Sequence, residues 1–242
     1  MVDLLMFQLY GPLAAWGEPA VGEYRPTATH PGKSQIVGLL GAALGLCRDQ
    51  EVELAALADS FGLAVRTEAE GELARDYHTS QVPPNRRGQR LRTRREELRA
   101  GNLYTILSQR DYRVDAAWTC ALWVTDAAQH PLAHLAEALR RPRFVLYLGR
   151  KSCPPALPLN PRIVQAATLK QAFADYSLDE HLAKRLLSAK GPRRHVWEAP
   201  LPAGLESGFE DTEYLWQVPR KDRPRSRVKW QFGARDEHHA IA

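Results

Sequence analysis

Nine arginines fall within residues 81–113: Arg86, Arg87, Arg90, Arg92, Arg94, Arg95, Arg99, Arg110 and Arg113. Against them stand Glu96, Glu97 and Asp111, so the segment carries a net charge of +6. A guanidinium offers a planar fork of donors that matches phosphate oxygens and a flat face that stacks on rings. A run built from arginine rather than lysine therefore points to a polyanion with exposed bases. A second basic stretch, residues 218–229, sets Arg220, Lys221, Arg223, Arg225, Arg227 and Lys229 against Asp222, a net +5. The whole chain is only +5, which leaves the remainder at −6. Two basic segments on an acidic body read as polyanion contact surfaces. The competing reading is a pair of solvated arms.

A third candidate is the run Tyr147-Leu148-Gly149-Arg150-Lys151. It puts an aromatic ring, a hinge and two cations within five residues, and a glycine at a strand end lets backbone N–H groups approach a phosphate. The alternative is a cationic β-turn. Arg25, Lys33 and Ser34 sit around the start of a predicted helix, whose N-terminal N–H groups at 34–36 form a natural anion site. Catalysis has a thinner basis. Metal-free RNA cleavage needs a base for the 2′-hydroxyl, an acid for the leaving oxygen and a cation for the phosphorane. Tyr77, His78 and nearby arginines are the candidates, with His30 able to approach only through folding. A lone histidine at a strand end is more often structural, so no catalytic residue is assigned. His238-His239, beside Asp236 and Glu237, has the composition of a metal cluster but reads as a solvated terminal tail. No P-loop, dinucleotide fingerprint or nucleophilic triad is present. No metal or cofactor is expected.

These residues need elements to hold them. Residues 3–10 (DLLMFQLY) read as a buried strand closed by Gly11-Pro12. A long loop follows, then a helix over 35–47 capped by Ser34, whose Gly38, Gly41 and Gly45 imply close packing of a strand or ligand. Residues 52–60 suit a short helix and 61–66 a strand. VDAAWTCALWV (114–124) is the best strand, and Leu132, Leu135, Ala136 and Leu139 mark an amphipathic helix. A strand is predicted at 143–148. Further on, 177–189 reads as helix, and 209–218 and 228–232 as strands flanking the second basic stretch. The order strand, helix, strand, strand, helix, strand predicts an α+β fold. It is a ferredoxin-like (RRM-like) domain over 1–148, with an arginine-rich insertion at about 75–112 in its central connection. A smaller, irregular, β-rich domain is expected over 149–242.

The 242 residues, 44% hydrophobic and 25% charged, suffice for a sizeable core. The longest apolar run, 36–47, is broken by three glycines and is too short to span a membrane. With no basic leader, a soluble, cytoplasmic protein is expected. Cys47, Cys120 and Cys153 lack metal or disulfide spacing and read as reduced thiols in or near the core.

Several blocks, in order along nearly the whole chain, resemble one family. They are Leu9-x-Gly11-Pro12-x-x-Ala15-Trp16-Gly17, Arg25-Pro26-Thr27, Ser34-x-x-x-Gly38-Leu39-Leu40-Gly41-Ala42-x-Leu44-Gly45, Arg75-Asp76-Tyr77-His78-Thr79, Tyr147 through Pro154, and Gln231-Phe232-x-x-Arg235. They are similar to the CasD family, the fifth-family Cas proteins (RAMP superfamily) of the type I-E CRISPR Cascade complex. The resemblance implies a ferredoxin-like domain with a protruding thumb and a smaller C-terminal domain. It also implies a non-catalytic, RNA-binding role in antiviral defence, holding and capping the 5′ handle of the guide RNA. The implied partners are that RNA, the backbone subunit CasC, the large subunit CasA and, through the complex, target DNA. Type I-C relatives cleave precursor RNA, which keeps a metal-independent endoribonuclease as the alternative. The arginine segment departs from the family pattern, so its individual contacts are not carried over.

Overall fold

The computed structural model describes residues 1–242 except 19, 21, 85–89, 100, 187–190, 213, 227, 228 and 230. In chain order the elements are β1 (Val2–Tyr10), β2 (Leu13–Ala14), β3 (Tyr24–Arg25), α1 (Lys33–Leu44), α2 (Glu51–Asp59), β4 (Phe61–Ala69), β5 (Glu72–Val82), α3 (Arg94–Arg99), β6 (Tyr104–Val114), β7 (Ala117–Val124), α4 (Leu132–Arg140), β8 (Arg162–Ala166), α5 (Leu169–Asp175), α6 (Glu180–Arg185), β9 (Arg194–Glu198), β10 (Tyr214–Ser226) and β11 (Gln231–Ile241).

Seven strands form one sheet in the order β10-β11-β9-β4-β7-β1-β8, every pair antiparallel. β1 explains why its sequence is apolar at consecutive positions. Leu5, Phe7 and Leu9 pack with Ile36, Leu40, Trp118, Leu135 and Leu139 beneath the helices. Leu4 and Met6, on the opposite face, pack with Trp123, Phe173 and Phe209. A strand covered on both faces has no polar side to show. α4 buries Leu132, Leu135, Ala136 and Leu139, the four residues its periodicity predicts.

Several predicted elements differ from those observed. The strands expected at 209–218 and 228–232 are β10 (Tyr214–Ser226) and β11 (Gln231–Ile241), so most of the second basic stretch lies within a strand rather than between two. Residues 143–148 form no strand, and the strand that pairs beyond β1 is β8, twenty residues later. Residues 149–242 then supply β8 to β11 to the same sheet as β1, β4 and β7, with β9 pairing β4 at Ala64↔Trp197. α1 begins at Lys33 rather than after Ser34, and its N-cap is Gly32. The three helix glycines separate by role. Gly41 abuts Leu54 of α2, and Gly45 closes the helix in the left-handed region at φ 83°. Gly38 lines a surface cleft described below.

The C-terminus is not a solvated tail. β11 lies between β10 and β9, with Glu237 and His239 only 2% and 6% exposed. Glu237 belongs to a buried charge cluster that welds the β10–β11 hairpin to α1 and β4. Arg235 donates to Asp222 through Nε (2.6 Å) and Nη2 (2.9 Å) and to Glu237 through Nη2 (2.6 Å). Asp222 Oδ2 accepts the Lys33 backbone N–H at 2.8 Å. Lys33 Nζ reaches Glu198 Oε2 at 2.9 Å, and that oxygen also accepts from Leu63 N–H at 3.1 Å. His30 Nε2 lies 2.9 Å from Glu237 Oε1, with Arg220 against both. Three carboxylates thus face three permanent cations, the balance that keeps buried charge tolerable.

Burial pulls His30 down to about 4, and burial likewise pulls His195 down to about 4. Burial opposes ionisation of Glu237, but hydrogen bonds from His239 and His30 and the Arg220 charge outweigh it and hold the carboxyl below its usual range. The unfolded chain titrates its histidines near ~6.5, so between that pH and about 4 the unfolded state binds more protons and stability falls as pH falls. Each histidine contributes at most about 1.4 kcal/mol per pH unit in that window. The Glu237 contribution disappears below the ordinary glutamate range. Thermal melts should be level from pH 8 to 7 and drop steadily from about 6.5 downward. A melting temperature unchanged between pH 7 and 5 contradicts this assignment.

Candidate nucleic-acid interface

β5 and β6 form an unbroken antiparallel ribbon from Glu72↔Val114 to Val82↔Tyr104. The expected long connection at about 75–112 is therefore mostly paired strand, with α3 near its tip. Its base is fixed by Asp111, 2% exposed, which accepts from Arg75 Nε at 2.8 Å and from the Tyr24 hydroxyl at 2.5 Å. The Arg75 guanidinium, and then Tyr24, hold the Asp111 carboxyl below the usual carboxylate range. Arg75 also lies 4.9 Å over the Tyr24 ring.

A cleft of about 680 Å³ opens beside this base, between α1, residues 147–150 and the β10–β11 hairpin. Ser34, Gly38, Arg48, Tyr147, Gly149, Arg150, Arg220, Lys221 and Phe232 line it. Four of the residues predicted from sequence therefore meet in one place: Ser34, Tyr147, Gly149 and Arg150. Gly149 holds φ 86°, and a Cβ there would sit 1.8 Å from the Ala15 carbonyl oxygen. Arg150 is a strut. Its Nη1 donates to the Asp111 carbonyl and its Nη2 to the Arg25 carbonyl, both at 2.9 Å, and its guanidinium lies 4.7 Å from the Tyr112 ring centre. It thereby ties the 147–150 turn to β3 and to the ribbon base. Arg25 and Lys151 are exposed beside it.

Other predicted residues fall elsewhere. Lys33 is 4% exposed, ion-paired to Glu198 and placed 4.1 Å over the Phe61 ring, so it faces the core and not a ligand. The helix N-terminus is likewise taken, since Asp222 supplies the anion expected there. Arg90, Arg92, Arg94, Arg95 and Arg99 are exposed near the ribbon tip and do not line the cleft. Arg94 pairs with Glu97 at 2.8 Å. Arg86 and Arg87 lie outside the described residues. In the second basic stretch Arg220 and Arg223 have carboxylate partners, Glu237 and Asp59. Sequence reasoning missed Arg48 and Phe232; Phe232 stood inside a quoted motif, while Arg48 carried no signal of its own.

Tyr77 and His78 are neighbours on β5, so their side chains leave opposite faces of the ribbon. His78 is half exposed and sits 3.4 Å from Asp76. His30 is buried against Glu237 and cannot join them. Of the thiols expected in or near the core, Cys120 and Cys153 are buried and Cys47 is exposed. Among the described residues no group of three metal-ligating side chains converges, and no helix is long and apolar enough to cross a membrane.

Gly149→Ala should force a left-handed alanine against a backbone carbonyl, a combined cost of about 2 kcal/mol or more. A lower melting temperature with native circular dichroism is expected. An unchanged melt would show that the turn can move.

A solved structure described as a CRISPR RNA-guided surveillance complex aligns with 99% of this chain and 90% of its own, at TM-score 0.65 and 19% identity. Another, described as a crystal structure of Cas protein, aligns with 98% and 94%, at TM-score 0.57 and 25% identity. The CRISPR system Cascade subunit CasD of Escherichia coli (strain K12) is 38% identical over 177 residues, 73% of this chain and 78% of that protein. The model of the CRISPR-associated protein (Cas_Cas5) family matches residues 4–237, and the chain belongs to that family.

Proposed function

We propose that the protein is a non-catalytic, RNA-binding subunit of a Cascade surveillance complex that grips and caps the 5′ handle of the guide RNA, beside CasC and CasA. The observation that carries this is the cleft. It joins an aromatic pair, Tyr147 and Phe232, to the cations Arg48, Arg150 and Lys221 around a glycine-thinned wall. Single-stranded RNA offers the matching parts, phosphates for cations and unstacked bases for rings. We read the strands β8-β1-β7-β4, with α1 and α4, as the ferredoxin-like arrangement, and the β5–β6 ribbon as its thumb. The strand order and the ribbon support that reading. Exposed arginines near the ribbon tip supply a second phosphate-facing surface.

Handle RNA should bind with an affinity that falls steeply with salt, by ~0.7 in the log–log slope for each phosphate neutralised. Lys151→Ala and Lys221→Ala should each flatten the slope by about that amount and leave the fold intact. Arg150→Ala should instead loosen the ribbon base, because its donors are spent on carbonyls. A Lys221→Ala variant, altered within the cleft itself, with wild-type slope and affinity would defeat the cleft reading.

The opposite orientations of Tyr77 and His78 support the absence of nuclease chemistry, since an acid and a base must reach one phosphodiester together. Precursor guide RNA incubated with the purified protein in EDTA should stay intact while shifting in a binding gel. Uniform cleavage abolished by His78→Ala would move the chain to the processing nucleases.

A further inference from the structure

Residues 143–148 have the composition of a strand, and the structure gives them no ladder: the chain bends at Arg143, Phe144 and Leu148, and only residues 145–147 run without a bend. Exposure alternates over 145–148 but not at Phe144, which is 45% exposed. Leu146 and Leu148 are 6% and 0% exposed, whereas Val145 and Tyr147 are 82% and 39% exposed. Both ends are tied down. The N–H groups of Arg143 and Phe144 donate to the Ala43 and Ala42 carbonyls at 3.0 and 3.1 Å, and Leu148 N–H donates to the Cys153 carbonyl at 2.7 Å. Between these anchors, among the described residues, Val145, Leu146 and Tyr147 give their N–H groups to no protein carbonyl. In a strand the Val145 and Tyr147 N–H groups share one edge, and two unused donors on one edge suit strand addition.

Beside this row runs a groove of about 740 Å³. Val145, Leu146, Leu139, Leu159 and Pro158 give it an apolar floor, and Arg140 and Arg162 stand at its rim. Arg141, whose side chain is 86% exposed, adds to the same border; Glu137 pairs with both Arg140 and Arg141 at 3.6 Å, so the three together leave a net positive charge of one, with Arg162 adding another. The far side of the groove is the start of β8, the last strand of the sheet, whose outer edge pairs with nothing among the described residues. Phosphates would meet the arginines but leave the leucines and prolines unsatisfied. A protein strand carrying bulky apolar residues and flanking carboxylates satisfies the backbone row, the floor and the rim together.

We propose that residues 145–147 and the adjoining groove dock an extended, acidic-flanked apolar segment of a neighbouring protein subunit, added as a strand. This goes beyond the RNA reading and does not depend on RNA filling the cleft. It rests on family membership, one curated relative being named a Cascade subunit.

The test places p-benzoylphenylalanine at position 145 in the full chain, expressed and purified within its native complex. Irradiation should give a crosslink that survives nuclease and maps to one stretch of a different subunit, with alternating apolar residues and nearby Asp or Glu. Amide exchange at residues 145–147 should be at least about tenfold slower in the complex than in the free chain, the factor that about 1.4 kcal/mol of added protection gives. Val145→Asp and Val145→Pro should each lower incorporation into the complex by about tenfold, as loss of a central contact does. Val52→Asp, at an equally exposed apolar site, should not. A nuclease-sensitive adduct, an adduct to a second copy of this chain, or no adduct with unchanged exchange would each overturn the proposal. Wild-type protein that fails to bind handle RNA yet crosslinks as expected would defeat the cleft reading and leave this one standing.

Discussion

The arrangement depends on the Asp222 carboxylate. It meets the α1 N-terminus, through Lys33 N–H, and the Arg235 guanidinium on the neighbouring strand at once. Asp222 stands at the middle of a basic run, where free cations alone would repel a helix N-terminus, already positive by its dipole. One acid in that place reverses the sign of the contact. It lets a hairpin near the C-terminus dock onto a helix some 190 residues earlier. Glu198 and Glu237 extend the same logic, so each cation that enters the interior finds a carboxylate. Removing one partner from such a cluster costs about 3–5 kcal/mol, because the survivor stays buried and unpaired.

That docking creates the cleft. Lys221 flanks Asp222 in sequence, and Phe232 lies on β11 close before Arg235, so the cluster that fixes the hairpin also sets one wall. The other wall is set independently by Arg150, which spans to β3 and to the ribbon base. The division of labour among arginines follows burial and partners. Arg150 and Arg235 are struts, whereas exposed Lys151, Lys221 and the tip arginines keep their charge toward solvent. Net charge along the sequence cannot separate these roles. The +5 of residues 218–229 overstates what is offered to a polyanion, since Arg220 and Arg223 are paired with carboxylates.

Much of the fold was legible where the signal was local. β1, β7 and α4 announced themselves through composition and period, and the residues that line the cleft from 147 to 150 were picked out by type. The failures share a cause. Lys33 looked like a ligand contact because its partner Glu198 is 165 residues away. His239 and Glu237 looked like a tail because β9 and β10, the strands beside β11, could not be assigned to it from sequence. β8 was displaced by a better-looking competitor, since RIVQA has a weaker pattern than the run from Arg143 to Leu148. Each error lies in pairing rather than in propensity.

The competitor is the informative case. Local preference at 143–148 agrees with an alternating, half-buried strand, and burial alternates over 145–148, although the chain bends at 143, 144 and 148. No strand of the described residues pairs with it. A conflict between local sequence and the isolated fold marks a functional surface more often than an error of folding. Tyr147 turns one side of this segment toward the cleft while Val145 and the groove occupy its neighbourhood. One extended stretch thus borders both a basic, aromatic cleft and an apolar groove with a basic rim. A strand added at Val145 would stiffen the backbone that positions Tyr147, two peptide units on, and Gly149, four peptide units on.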